Sequence, residues 1–164
     1  MSKTFTYGLV SPAEIMSRTG LSFLTGMISG EFPQPPICGT LGFHLAEAKE
    51  GYACFEGLPE KRHYNPIGTV HGGLAATLLD SALGCAIFST LAPGEGWTTL
   101  ELKLNMVRPI TEDTGLIRAE GRLIHRGRTV ATSDGTVKDS AGKLYAHATT
   151  TCMIFPANAG QTPK

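Results

Sequence analysis

Apolar residues recur along the chain with two different spacings. Ile15, Thr19, Phe23 and Met27, joined by Leu24 and Ile28, fall at helical spacing. Ser11-Pro12-Ala13-Glu14 reads as the start of that helix, with Ser11 as cap, Pro12 at the first helical position and Glu14 completing a capping box. The helix should end near Gly30, and Pro33, Pro35 and Pro36 follow as a stiff connector. Two short strands are expected over 41–48 and 51–58, joined at Glu50-Gly51. A polar loop, Lys61 to Val70, opens onto the stretch from Gly72 to Gly94, whose only charge before the glycine is Asp80. A helix apolar on nearly all sides belongs in a core or a membrane. The central Asp, the glycines and the lack of basic flanks favour a buried central helix. Beyond it, Leu100, Leu102, Leu104 and Met106 alternate with Glu101, Lys103 and Asn105, a half-buried strand. Three more strands are expected over 114–125, 128–138 and 143–155, the last two rich in β-branched residues.

The order is helix, two strands, long buried helix, four strands. An α+β fold, with a curved antiparallel sheet wrapped around one long central helix plus an extra N-terminal helix, satisfies it. The expected organisation is an N-terminal helix and connector over 1–40, one domain over 41–156 and a flexible tail over 157–164.

Composition narrows the function. The chain has 164 residues, with 14 basic and 14 acidic side chains and no formal net charge. That balance argues against a nucleic-acid partner, which needs a basic excess. Charged residues are 17% of the chain, below the roughly 25% of an average soluble domain. A neutral, charge-poor surface tends to associate, so an oligomer is expected. The N-terminus lacks the apolar run of a signal peptide. Cys38, Cys54, Cys85 and Cys152 are scattered without a Cys-x-x-Cys pair, so they read as buried small hydrophobes in a reducing, cytoplasmic compartment. The five histidines have no metal-ligand spacing, and no metal is expected.

The chemistry concentrates in Asn65-Pro66-Ile67-Gly68-Thr69-Val70-His71-Gly72-Gly73, with Asp80 nine residues after His71. Glycines at a helix N-terminus expose amides that lack intrahelical partners, at the positive end of the helix dipole. Such amides stabilise an oxygen that gains negative charge, the requirement of an oxyanion hole. His71 could brace the loop or polarise a carbonyl, and Asn65 could orient a carbonyl or a water. Asp80, expected among apolar neighbours with its pKa raised by partial burial, suits a general base or nucleophile. Gly72 and Asp80 are separated by about 12 Å along one helix axis. One small carbonyl cannot easily reach both, so a site shared between two copies of the chain is expected.

Asn65 six residues before His71-Gly72-Gly73, and Asp80 seven after Gly73, resemble the pattern of the hotdog-fold acyl-CoA thioesterases, with the phenylacetate-pathway type nearest. The resemblance implies a hotdog fold and an acyl-CoA substrate, with coenzyme A entering as part of the substrate and no separate cofactor. It implies a homodimer with a continuous sheet, and a dimer of dimers. The Gly72 amide would polarise the thioester carbonyl while Asn65, His71 and Gly73 shape that end. Asp80 of a second copy would attack or activate water. A hydroxyl early in the next strand commonly assists. Alignment back from Pro109 assigns it to Thr99, although simple alternation turns Thr99 toward the side of Glu101 and Lys103. Ser81 is a second hydroxyl candidate. Arg108, Arg126 and Arg128 are candidates for the coenzyme A phosphates, the last two in the turn His125-Arg126-Gly127-Arg128. The N-terminal helix and its connector would either cover an acyl tunnel or pack on an edge.

Two other readings differ in class. A hotdog enoyl-CoA hydratase is suggested by Asn65-Pro66, but Gly68 stands where that pattern needs His, and Lys61-Arg62-His63 supplies no catalytic Asp. A non-catalytic acyl-CoA-binding module would keep the glycines and arginines and have no need of Asp80.

Overall fold

The computed structural model describes residues 4–156, so the expected tail over 157–164 lies outside the described residues. Six antiparallel strands form one sheet in the order β1-β2-β4-β5-β6-β3. They are β1 (Phe43–Lys49), β2 (Tyr52–Gly57), β3 (Glu95–Met106), β4 (Ile117–Arg126), β5 (Val130–Asp139) and β6 (Leu144–Pro156). Helix α4 (Gly72–Phe88) lies across the concave face. Leu78, Leu79, Ala82, Leu83, Ala86 and Ile87 of α4 are fully buried, as the apolar run required. Among the described residues no helix is long and apolar enough to cross a membrane.

The helix can lie this close because the sheet is hollowed beneath it. Gly121 of β4 and Gly135 of β5 stand directly opposite each other. A Cβ on Gly121 would fall 2.3 Å from the Ala82 carbonyl oxygen, and one on Gly135 would fall 2.7 Å from Leu83 Cδ1. Ser133, buried beside them, donates its hydroxyl to the Leu83 carbonyl at 3.0 Å. On β6 the inward residues Ala146, Ala148, Thr150 and Cys152 are all small and buried. The outer face carries charge instead: Arg118 pairs with Glu47 and Glu56 across three strands.

The single N-terminal helix of the sequence reading is corrected to two. After α1 (Pro12–Met16), Ser17 closes the first helix and Thr19 caps α2 (Gly20–Ser29) by accepting the Ser22 amide at 3.2 Å. Ser11 caps α1 through the Glu14 amide, but the Glu14 carboxylate pairs with Arg18 rather than closing a capping box. The prolines do more than stiffen a connector. Pro36 opens a short helix α3 (Pro36–Leu41), using the fixed φ that suits a first helical turn. Helix α2 packs against β1 and the far end of α4, where Phe23 meets Phe88 edge-on and the Gly20 amide donates to the Leu91 carbonyl. It packs on an edge, away from the Gly72 end.

Strand β3 starts at Glu95, earlier than the alternation beginning at Leu100 suggested, because Trp97 stacks on Phe88 and draws the chain into the sheet sooner. A bulge between Thr99 and Glu101 resets the alternation. Thr99 therefore shares the inner face with Trp97, and Leu102 and Leu104 resume it beyond the bulge; the side assigned by simple alternation is corrected.

Replacing Gly121 by Ala is expected to cost about 1–3 kcal/mol, because the clash is with helix backbone that cannot swing aside. Urea denaturation measures it. A midpoint equal to that of wild type would mean that α4 is free to lift off the sheet.

Candidate active site

The loop before α4 is held from within and from both sides. The Asn65 side chain accepts the amides of Ile67 at 3.1 Å and Thr69 at 3.2 Å, and donates to the Thr69 hydroxyl at 3.0 Å. Gly68 closes this turn at φ 86°, a conformation that favours glycine. The Val70 amide donates to the Ile110 carbonyl and the His71 amide to the His63 carbonyl, at 2.9 and 2.7 Å. Asn65 thus acts as an internal staple of the loop and also lines the adjoining cavity.

His71 caps α4. Its Nδ1 accepts the Gly73 amide at 2.9 Å. The Gly73 amide is therefore engaged by the chain itself, and a neutral His71 carries its proton on Nε2. Gly72 differs: among the described residues its amide meets no acceptor, as expected for the first turn of a helix. This free donor opens on a cavity of ≈ 290 Å³ lined by Asn65, His71, Gly72, Met106, Arg108 and Tyr145, among others. Arg108 stands 5.8 Å from the Tyr145 ring centre and donates to the Leu144 carbonyl. The Tyr145 hydroxyl donates to Asp139 at 3.0 Å, and burial together with that carboxylate pushes its pKa up, so it remains protonated.

Asp80 lies elsewhere. It is exposed, which corrects the expected apolar surroundings. Gly73, Ala76, Thr77, Ser81 and Cys85 are half-buried and form with Asp80 the open side of α4 beyond Gly72. The Thr99 hydroxyl donates to Asp80 Oδ1 at 3.1 Å, an approach made possible by the bulge in β3. Cys152 Sγ lies 3.9 Å behind the same hydroxyl. Ser81 sits beside this pair and outside the cavity. Within one chain the structure joins Asn65, His71, Gly72 and Arg108 around the cavity, and joins Asp80 to Thr99. It does not bring the two groups together.

The two arginines of the turn differ. Arg126 is half-buried and ion-paired with both Glu95 carboxylate oxygens at 2.8 Å, so its charge is already matched. Arg128 is exposed in the turn.

Three residues of this region escaped the sequence reading: Met106, Tyr145 and His63. Met106 closes an alternating strand and reads as one more apolar position. Tyr145 has no motif. His63 lies in a charged triplet yet is buried, with Nδ1 accepting the Glu60 amide at 3.0 Å. Its backbone carbonyl is the one that anchors His71.

The chain is similar to known thioesterases and esterases in sequence and fold. The model of the thioesterase superfamily matches residues 67–146. Acyl-coenzyme A thioesterase 13 of Homo sapiens is 30% identical over 103 residues, covering 62% of this chain and 72% of that protein. A protein of Archaeoglobus fulgidus that carries the name esterase is 33% identical over 106 residues, 65% of this chain and 66% of its own length. Among solved structures, a phenylacetic acid degradation-related protein from Ralstonia eutropha superposes with a TM-score of 0.72 at 34% identity, over 80% of this chain and 98% of that one.

The His63 arrangement has a pH consequence. Burial first, and then the neighbouring Arg62 guanidinium, lower its pKa below the ordinary 6.5. Protonation would turn its Nδ1 acceptor into a donor facing the Glu60 amide. A depressed histidine contributes stability in full above the unfolded pKa and loses it as pH falls. Wild type should therefore lose more stability than His63→Asn as pH drops below about 6.5, read as melting temperature across pH. Parallel curves for the two proteins would count against the neutral His63 brace.

Proposed function

The chain belongs to the thioesterase superfamily and is a thioester hydrolase, and from that premise we propose that it hydrolyses acyl-CoA in sites shared across a homodimer. The observation that carries the proposal is the Asp80 carboxylate, oriented by the Thr99 hydroxyl on an open face and remote from the Gly72 amide.

β3 is an edge strand of 12 residues, and Leu100 on it is 59% exposed. A long exposed edge is a template for pairing with another chain. Two-fold pairing of β3 with its copy runs the Met106 end of one strand toward the Thr99 end of the other. Met106 lies over Gly72 and Thr99 over Asp80 within each chain. The pairing therefore carries the partner's Asp80 toward the Gly72 amide, and the continuous sheet leaves two equivalent sites. Val130 and Met153, cross-strand neighbours and 42% and 40% exposed, support a further pairing of dimers into a tetramer.

The reaction follows from these parts. The thioester oxygen accepts from the Gly72 amide at the N-terminus of α4, where the helix dipole and the free N–H stabilise developing negative charge. His71, with its Nε2–H, adds a donor at the same end, and Asn65 holds the loop that aims them. The partner's Asp80 either takes a proton from water as water adds to the carbonyl carbon, or adds itself to form an anhydride that water then opens. In both routes the C–S bond breaks, the thiolate of coenzyme A leaves and is protonated, and the acid is released. Thr99, donating to one carboxylate oxygen, leaves the other for the reaction. Arg108 at the cavity and the exposed Arg128 are the basic residues offered to the phosphates; Arg126 is held by Glu95.

Asp80→Asn should lower turnover of acyl-CoA by at least about 100-fold, the scale of losing a general base, with thiol release as the measurement. Tight binding of coenzyme A without turnover by the wild type would instead mark a binding module. The shared site is tested separately by mixing Asp80→Asn with Gly72→Pro, which removes the amide hydrogen at a first helical position that suits proline and pushes its ring against the flexible Met106 thioether. Mixed dimers contain one intact site and should regain activity. Verified mixed dimers with no gain would refute sharing.

A further inference from the structure

We propose that Met106 is the side chain that sets how long an acyl group the cavity at the head of α4 accepts; this rests on the thioesterase reading and deepens it. The Met106 thioether lies directly on Gly72, where an added Cβ would stand 2.3 Å from both Sδ and Cε. Gly72 therefore contributes its free amide and, having no side chain, the space that Met106 fills. A thioester whose carbonyl accepts from that amide has Met106 beside its acyl carbons.

The lining offers both kinds of contact such a substrate needs. Val70, Ala75, Val107, Pro109 and Ile110 are apolar and suit hydrocarbon, and Arg108 supplies charge suited to the phosphate-bearing half. At ≈ 290 Å³ the cavity within one chain falls just below the usual ligand-pocket range, roughly 300–1,000 Å³. Met106 closes part of it. Within one chain the side chain is 53% exposed at the end of β3, beside the edge that the proposed dimer covers. An unbranched thioether adapts to irregular space, which suits a residue that bounds a pocket of adjustable depth. Among the described residues the three atoms nearest the position of a Gly72 Cβ all belong to Met106, so this side chain occupies the space next to the polarising amide.

The test is a ladder of straight-chain acyl-CoA substrates from acetyl to palmitoyl, with kcat/KM measured by thiol release for wild type, Met106→Ala, Met106→Leu and Met106→Phe. Met106→Ala should shift the long-to-short ratio of kcat/KM upward by at least about tenfold, the discrimination available to one or two methylenes in an apolar pocket. Met106→Phe should shift it the other way, and Met106→Leu, of similar volume, should leave it near wild type. Size-exclusion chromatography and melting temperature confirm that each variant is folded and assembled. An unchanged ratio, or a uniform change across the ladder, in folded Met106→Ala and Met106→Phe overturns the assignment while wild-type turnover stands. Absence of wild-type turnover on every member of the ladder overturns the acyl-CoA reading on which it rests.

Discussion

The close approach of α4 to the sheet is the constraint on which the rest of the structure depends. Gly121 and Gly135 face each other beneath Ala82 and Leu83, where neither position has room for a methyl group. Ser133 supplements the contact by bonding the Leu83 carbonyl. This contact fixes the helix in height and rotation. Once Leu78, Leu79, Leu83 and Ile87 are turned into the core, Asp80 has one direction left, outward on the open side. The same rotation brings the Gly72 end against Ile110, Met106 and the loop from Asn65 to Val70. Helix seating therefore determines both where the free Gly72 amide points and where the Asp80 carboxylate emerges. A substitution under Ala82 would disturb a site that it never touches.

The glycines serve two ends that should be kept apart. Gly121 and Gly135 give room to a backbone, whereas Gly72 gives room to a side chain and leaves an amide open. Gly73 is different again, since its amide is consumed in capping by His71. Two adjacent glycines that look equivalent in sequence thus separate into one structural donor and one available donor. Asn65 undergoes a similar reassignment: most of its hydrogen-bonding capacity goes to holding Ile67 and Thr69, so its contribution to chemistry is chiefly the shape of the loop.

Much of the architecture was legible because burial leaves a regular trace. The uncharged run around Asp80 marked the central helix, and the alternation of leucines with polar residues marked β3. The loop Asn65 to Gly73 declared itself by residue types with narrow backbone requirements. What could not be read has local causes. Simple alternation misplaced Thr99 because a bulge inserts a residue without any compositional sign. The N-terminal helix was read as continuous because its apolar spacing survives the break, while the Thr19 cap that ends the continuity is a single polar residue among several. Arg126 looked available because its partner Glu95 is 31 residues away in sequence. His63 was lost in a charged triplet because neither its burial nor its hold on His71 follows from its neighbours. Pairings of this kind depend on tertiary register, which one sequence does not display.

The proposed division of the chemistry between two copies rests on an ordinary property of helices. Eight residues of rise carry Asp80 about 12 Å from Gly72, and neither can move toward the other while the helix remains whole and seated on its glycines. A chain with this helix therefore has two ways to use both groups on one carbonyl: break the helix, or borrow one group from a neighbour. The buried leucines on either side of Asp80 oppose the first. The exposed edge of β3, with Thr99 toward one end and Met106 at the other, supplies a surface for the second. On that assembly the strand that joins the subunits also carries the hydroxyl that orients the carboxylate and the thioether that bounds the acyl pocket. Assembly, catalysis and acyl selection would then share one strand, so a change in its register would alter all three together.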